Sequence, residues 1–234
     1  MKVKPVKFVR LLKELSLNWL LNPIVISFKE EGATISQMDA TSTAYVYALI
    51  EKEFFTDYKA VGDVALSKEY AKLIRKVFRG DDDVEINVDS KIVIKGSIDV
   101  LEIDLMSTEQ VNVVRDASIV VVGDVMLLEK AKVLRGFVVD LQSLLDVAIE
   151  DKVTFRFTES LEAYVQGTTY KHLRRIPATP FTGDEKGEAT MYADILKQIA
   201  NIGGKAYIVF TEGPIEFYIK TPAYRCLIAV STVV

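Results

Sequence analysis

GGKAYIVFTEGPIEFYIK, residues 203–220, decides the fold. Every second residue is apolar over about half a dozen positions, a polar turn follows at Glu212-Gly213, and the alternation resumes. Period-two alternation broken by such a turn is the signature of a β-hairpin. The same reading applies to NPIVISFKEEGATISQMD (22–39), with its turn at Glu30-Glu31-Gly32. It applies again to DDVEINVDSKIVIKGS (82–97), turning at Asp89-Ser90, and to EDKVTFRFTESLEAYVQG (150–167), turning at Glu159-Ser160. Each copy continues toward a third strand, and an amphipathic stretch precedes each. Four helix-plus-meander units in one chain imply an internally repeated architecture.

Working outward, the amphipathic stretches read as helices. Helix one is expected over 6–20, with Phe8, Leu11, Leu12, Leu15 and Trp19 as its apolar stripe and Pro23 barring continuation. Helix two is expected over 67–79. Leu66, Tyr70, Leu73, Ile74, Val77 and Phe78 form one face, Lys68, Lys72, Arg75, Lys76 and Arg79 form another, and Gly80 closes the end. Helix three, over 140–150, buries Leu141, Leu144, Leu145 and Ala148 beneath an acidic face of Asp140, Asp146 and Glu150. Helix four, over 190–202, buries Met191, Ile195, Ile199 and Ile202 and carries Lys197 as its single base. The stretch 177–187, rich in Pro, Gly and charge, reads as a loop. Residues 107–136 fit neither pattern and read as a link between two halves, with 123–136 also open to a helical reading.

Composition sets bounds. The 234 residues carry a net charge of −4 and are 50% hydrophobic, a globular balance that fits one large domain or two ordinary ones. A single cysteine, Cys226, excludes an intramolecular disulfide. The basic-then-apolar start MKVKPVKFVRLLKEL is broken by Arg10, Lys13 and Glu14, which argues against a signal peptide. The most apolar segment, 117–128, is interrupted at Gly123-Asp124, too soon for a membrane helix. A cytoplasmic protein is expected.

The catalytic inventory is poor. His172 is the single histidine and lies in a strand, no Cys/His spacing suits zinc, and no phosphate-binding glycine motif is present. Asp81-Asp82-Asp83 reads as a charged helix-to-strand loop with no second carboxylate cluster to complete a metal sphere. No enzyme, metal or cofactor is expected. The electrostatic feature that stands out is helix two, where residues 67–79 hold five bases and one acid in an acidic protein. A solvated face ordinarily mixes signs at i,i+4, whereas a single-sign stripe suits a polyanion.

Several segments resemble the DNA sliding clamps of the proliferating-cell-nuclear-antigen (PCNA) family. ATISQMDATSTAYVYALIEKEFFTDY (33–58) is similar to the first clamp domain in its Ser/Met/Asp turn and its Phe-acid-Tyr segment. LSKEYAKLIRKVFRGDDDVEI (66–86) resembles the second helix and following strand, and 191–234 the final helix and three strands, with an acid-x-Pro turn at Glu212–Pro214. Residues 149–167 match the third unit more loosely. The resemblance covers most of the chain in order.

It implies an α+β DNA-clamp fold, ring-forming, with two similar domains of two helix-plus-meander units each. The domains would be 1–106 and 137–234, joined by a connector at 107–136. Three subunits, a homotrimer, would encircle duplex DNA without reading its sequence, with Lys7, Arg10, Lys13, Lys68, Lys72, Arg75, Lys76, Arg79 and Lys197 facing the phosphates. Edge strands near 98–106 and 168–176 would pair between subunits through Ile98, Val100, Glu102, Tyr170, His172 and Arg174. Met38, Pro214, Ala229, Val230 and Ser231 would floor a pocket for short hydrophobic motifs of polymerases, nucleases, ligases and a clamp loader. Ala229 stands where the family carries an aromatic, and helix three is acidic where clamps offer bases. The Lys/Glu-rich composition suits a thermophilic archaeon or its virus. The rival readings are a subunit of a heteromeric ring, a clamp-fold decoy that binds partners without enclosing DNA, and an unrelated α+β binding protein.

Overall fold

Alternating apolar residues pair into four antiparallel meanders, each behind a helical segment, in the computed structural model of the chain. It describes residues 1–80, 83–109, 111–114, 118–129 and 132–233. The chain divides into two units. One is Met1–Thr41, Val46–Arg115 and Thr221–Arg225; the other is Ser42–Tyr45, Asp116–Lys220 and Cys226–Val234.

In the first unit the order is β1 (Lys2–Val3), α1 (Pro5–Leu15), β2 (Ile24–Lys29), β3 (Gly32–Met38) and β4 (Ala44–Ile50). A 3-10 turn (Lys52–Phe54), β5 (Gly62–Leu66), α2 (Lys68–Val77), β6 (Val84–Val88), β7 (Lys91–Lys95) and β8 (Val100–Asp104) follow. One set of strands runs β5-β2-β3-β4, with Ile24 opposite Leu66 and Ser27 opposite Thr34. The other is β1-β6-β7-β8, which leaves β8 as an edge. Gly32, at φ 143, makes the β2–β3 turn that a side chain would strain. The helices bury Phe8, Leu11, Leu12 and Leu15 of α1, which packs beside α2 with its Ala71 and Ile74.

The second unit opens with a hairpin, β9 (Ile119–Val122) and β10 (Val125–Leu128), then β11 (Val133–Asp140) and a 3-10 segment (Leu141–Val147). It continues through β12 (Lys152–Phe157), β13 (Leu161–Gln166), β14 (Lys171–Ile176), β15 (Ala178–Thr182), β16 (Gly187–Tyr192) and α3 (Ala193–Ala200). Last come β17 (Lys205–Thr211), β18 (Ile215–Lys220) and β19 (Tyr224–Val230). Its sheets run β15-β11-β17-β18-β19 and β14-β13-β12-β16, with β14 on an edge. Phe210 stacks on Phe157 with centroids 4.4 Å apart and meets Phe155 at 5.8 Å and Phe137 at 6.4 Å. Each buried phenylalanine is worth about 1.5–3 kcal/mol in burial alone, so this cluster anchors the unit.

The structure corrects several expected boundaries. Helix one ends at Leu15 rather than 20, because Leu17, Asn18 and Trp19 take left-handed φ values of 51, 54 and 73°. Ser16 holds that turn, its Oγ accepting from the Trp19 N–H at 2.9 Å and donating to the Lys13 carbonyl. Trp19 is therefore half-buried off the helix. Helix two stops at Val77 and is capped by Phe78, whose N–H donates to the Ile74 carbonyl, so Gly80 is not its cap. Helix three is a 3-10 segment, and helix four begins at Ala193 because 190–192 are held in β16 opposite β12. Within the supposed loop 177–187, residues 178–182 form β15 against β11. The helical reading of 123–136 fails. Gly123, at φ 62, turns the β-branched run of β9 into β10, and 133–136 belong to β11. In 107–136, residues 110, 115–117, 130 and 131 lie outside the described residues.

Candidate nucleic-acid interface and docking surfaces

Ser67 starts α2 by accepting the Tyr70 N–H on its side chain at 3.3 Å. The helix then buries Ala71 and Ile74, which leaves Lys68, Lys72, Arg75 and Lys76 exposed on the opposite side and Arg79 exposed beyond its end. None of these five bases forms an ion pair with a described residue. Like charges at i,i+4, such as Lys68–Lys72 and Lys72–Lys76, mildly oppose the helix. Arg75 and Lys76 lie in the last turn, where the helix dipole favours cations. On α1, Lys7, Arg10 and Lys13 are exposed. Arg10 differs from its neighbours because Glu14 accepts from its Nε at 2.7 Å, which raises the guanidinium pKa and cancels much of its charge. Glu14 also accepts from the Tyr224 hydroxyl at 3.1 Å. Lys197 is exposed and is the single base of α3.

The acidic face of the third helical segment has local partners. Asp140 caps the segment, accepting from the Gln142 N–H at 3.0 Å, and Asp146 pairs with Arg174 of β14 at 2.7 Å. Glu150 accepts from the hydroxyl of Tyr170, the residue just before that strand.

β8 (Val100–Asp104) lies within the expected 98–106 and β14 (Lys171–Ile176) within the expected 168–176, and each ends its sheet, with Ile98 and Tyr170 just outside the strands. Ile98 is 91% exposed and Val100 58%, on or beside β8, and Glu102 is exposed on it. On the β14 side Tyr170 is exposed, His172 and Arg174 are half-buried, and Leu173, which sequence reasoning missed, is 53% exposed. Asp99, Glu102 and Asp104 make the β8 edge acidic, while Lys171, Arg174 and Arg175 make the β14 edge basic. Within its own sheet Lys91 reaches Glu102 at 3.4 Å and Asp104 at 3.8 Å.

Met38 is half-buried at the end of β3, where it lines a cleft of about 80 Å³ with Leu20, Pro23, Gln37, Val111 and Asn112. Residues 111–114 run beside β3: the Met38 N–H donates to the Asn112 carbonyl, the Val114 N–H to the Ser36 carbonyl, and Gln37 bridges Val113. The other expected pocket residues belong to the second unit. Pro214 is half-buried, its carbonyl accepting from Thr211 Oγ1 at 2.7 Å. Ala229 and Val230 are buried in β19, and Ser231 is exposed, its N–H donating to the Thr43 carbonyl.

Among the described residues no group of three His, Cys, Asp or Glu is placed to hold a metal; Asp81 and Asp82 lie outside them. No described helix is long and apolar enough to cross a membrane.

No protein-family model and no curated protein matches the sequence. Solved structures do. The PCNA of A. fulgidus, determined with the C-terminal region of FEN-1, is 17% identical with a TM-score of 0.77, covering 100% of this chain and 97% of that one. The PCNA of Entamoeba histolytica is 11% identical at TM-score 0.79, covering 100% and 98%. A PCNA2-PCNA3 complex from Sulfolobus tokodaii is 11% identical at TM-score 0.74, covering 99% and 98%. The chain has the fold of the PCNA sliding clamps over its whole length.

Proposed function

We propose that this chain, built on the PCNA fold, is a subunit of a DNA sliding clamp. It is read as a non-enzymatic processivity factor that encircles duplex DNA and docks replication and repair enzymes. The observation that carries the reading is the fourfold helix-plus-meander repeat, shared end to end with clamps. The α2 bases support it, because they are exposed and lack an acidic partner among the described residues. Such bases attract phosphates without reading bases, and salt screens the attraction enough for a ring to slide.

The two edges support a homotrimer. β8 is acidic and β14 basic, so each edge repels its own kind and attracts the other. That pattern favours head-to-tail contact, which generates a closed ring when the rotation closes. Ile98, Val100 and Leu173 would supply apolar contact across the pairing, with Glu102 and Arg174 opposed in charge and Tyr170 and His172 flanking. Short hydrophobic motifs of polymerases, nucleases, ligases and a loader would use the exposed or half-buried residues of the expected pocket, Met38 on the first unit and Pro214 and Ser231 on the second, while Ala229 and Val230 are buried in β19. The FEN-1 segment on the A. fulgidus protein is the precedent for such docking. A second reading, a subunit of a heteromeric ring, is favoured by the mixed S. tokodaii complex.

The test is retention on DNA by topology. The loaded protein is expected to stay on closed circular DNA and to run off the ends of linear DNA. The triple variant Lys72→Glu/Arg75→Glu/Lys76→Glu should keep the wild-type mass and lose retention. Equal release from circular and linear DNA would refute enclosure.

A further inference from the structure

The β9–β10 hairpin buries Val125, Met126 and Leu127 and packs β10 on β18 within the second unit. Its outer strand β9 stays exposed, Val121 at 65% and Val122 at 58%. Beneath the hairpin lies Glu216, a carboxylic acid with 0% exposure, second in β18, whose neighbours Ile215, Phe217 and Tyr218 are all buried. One oxygen, Oε2, accepts from the Leu128 N–H at 3.1 Å. The other, Oε1, is buried with no hydrogen-bond partner among the described residues. Cross-strand register places Val209 of β17 opposite Glu216 and Tyr207 opposite Tyr218. The described titratable groups of the elements around it are Lys205 and Tyr207 of β17, Tyr218 and Lys220 of β18, Tyr224, Arg225 and Cys226 of β19, and Asp124 and Glu129 of the hairpin, and Glu216 forms an ion pair with none of them. Lys132, the nearest described base along the chain from the hairpin, is taken by Glu185 and Glu212 at 3.2 and 2.8 Å.

A carboxylate so enclosed has neither solvent nor a counter-charge among the described residues, and its anion is costly there. The hydrogen bond from Leu128 ties that cost to the position of the hairpin. We propose that the hairpin is a flap latched by Glu216, and that ionisation of this one side chain loosens the flap from the sheet. The proposal does not rest on the clamp reading.

The direction follows from linkage. Burial raises the Glu216 carboxyl from 4.5 to about 7, against a smaller lowering by the Leu128 N–H. With the flap open, the carboxyl returns to its ordinary value. Closure is therefore strongest below that value and is lost progressively as the pH rises through about 7. Between about pH 6 and about pH 8 the opening constant should rise about tenfold.

The experiment is hydrogen exchange at the Leu128 amide of the full chain, corrected for intrinsic rates, with the Phe155 amide of β12 as reporter of global opening. In the wild type Leu128 should lose about tenfold in protection over that range, relative to Phe155. In Glu216→Gln, which keeps the acceptor for Leu128 and cannot ionise, protection should be flat. The same pH response in both proteins, or none in the wild type, overturns the proposal. A carbon-13 titration of the wild-type Glu216 carboxyl needs no variant. A midpoint near 7 shared with the Leu128 amide supports the latch, and an ordinary midpoint, or an amide that ignores the titration, refutes it.

Discussion

α2 and the 3-10 segment at 141–147 occupy the same place in the repeat, each ahead of a three-stranded meander, yet their exposed faces carry opposite charge. The acids around the second are spent inside the chain, on the segment's own cap, on Arg174 and on Tyr170. The bases of the first find no described counter-charge. One face is thus explained by its own fold, and the other carries the charge that the proposed DNA contact would use. Charge type alone would not have separated them; the partners do.

The comparison can be broken at four levels. The largest effect is expected from the anchor of the acidic segment. Leu144 is fully buried, and Leu144→Ala should cost about 2–5 kcal/mol in chemical denaturation. Next, Lys72→Glu/Arg75→Glu/Lys76→Glu should weaken non-specific DNA binding about tenfold or more near 0.1 M salt and flatten the salt slope by about three. An unchanged slope would make α2 an ordinary solvated face. Smaller is Ser67→Ala, which removes the α2 cap and should cost about 1 kcal/mol of stability with DNA binding otherwise kept. Smallest is Asp146→Asn. Its ion pair with Arg174 is exposed, so the loss in stability should be at most about 1 kcal/mol.

The meanders were legible because one face of every strand is buried, which writes the fold into a period of two. The start of α2 near Ser67 and its basic face were legible for a similar local reason, whereas Leu73, expected on the apolar face, is 42% exposed. What escaped was set by contacts distant in sequence or by backbone detail. Leu17–Trp19 keep helix-compatible side chains while the backbone turns left-handed, so the stripe ran on to Trp19. The acidic third segment reads as one helical face, and spacing alone does not separate a 3-10 turn from an α-helix at this length. The β15 strand hides in a Pro- and Gly-rich stretch because its partner β11 lies some 40 residues earlier. Glu216 reads as an outward acid between Ile215 and Phe217; only the hairpin, 88 residues away at Leu128, reveals it as buried. At the edges, the family resemblance supplied the two strands, and the opposite charge of β8 and β14 emerged once both were seen to end their sheets.

The central claim is that three copies close head to tail. Light scattering across a dilution series, at low and high salt, tests it most directly. The account predicts a species of three times the 26.2 kDa chain mass that loosens as salt screens the opposed edges. A monomer at every concentration and salt would contradict the self-sufficient ring.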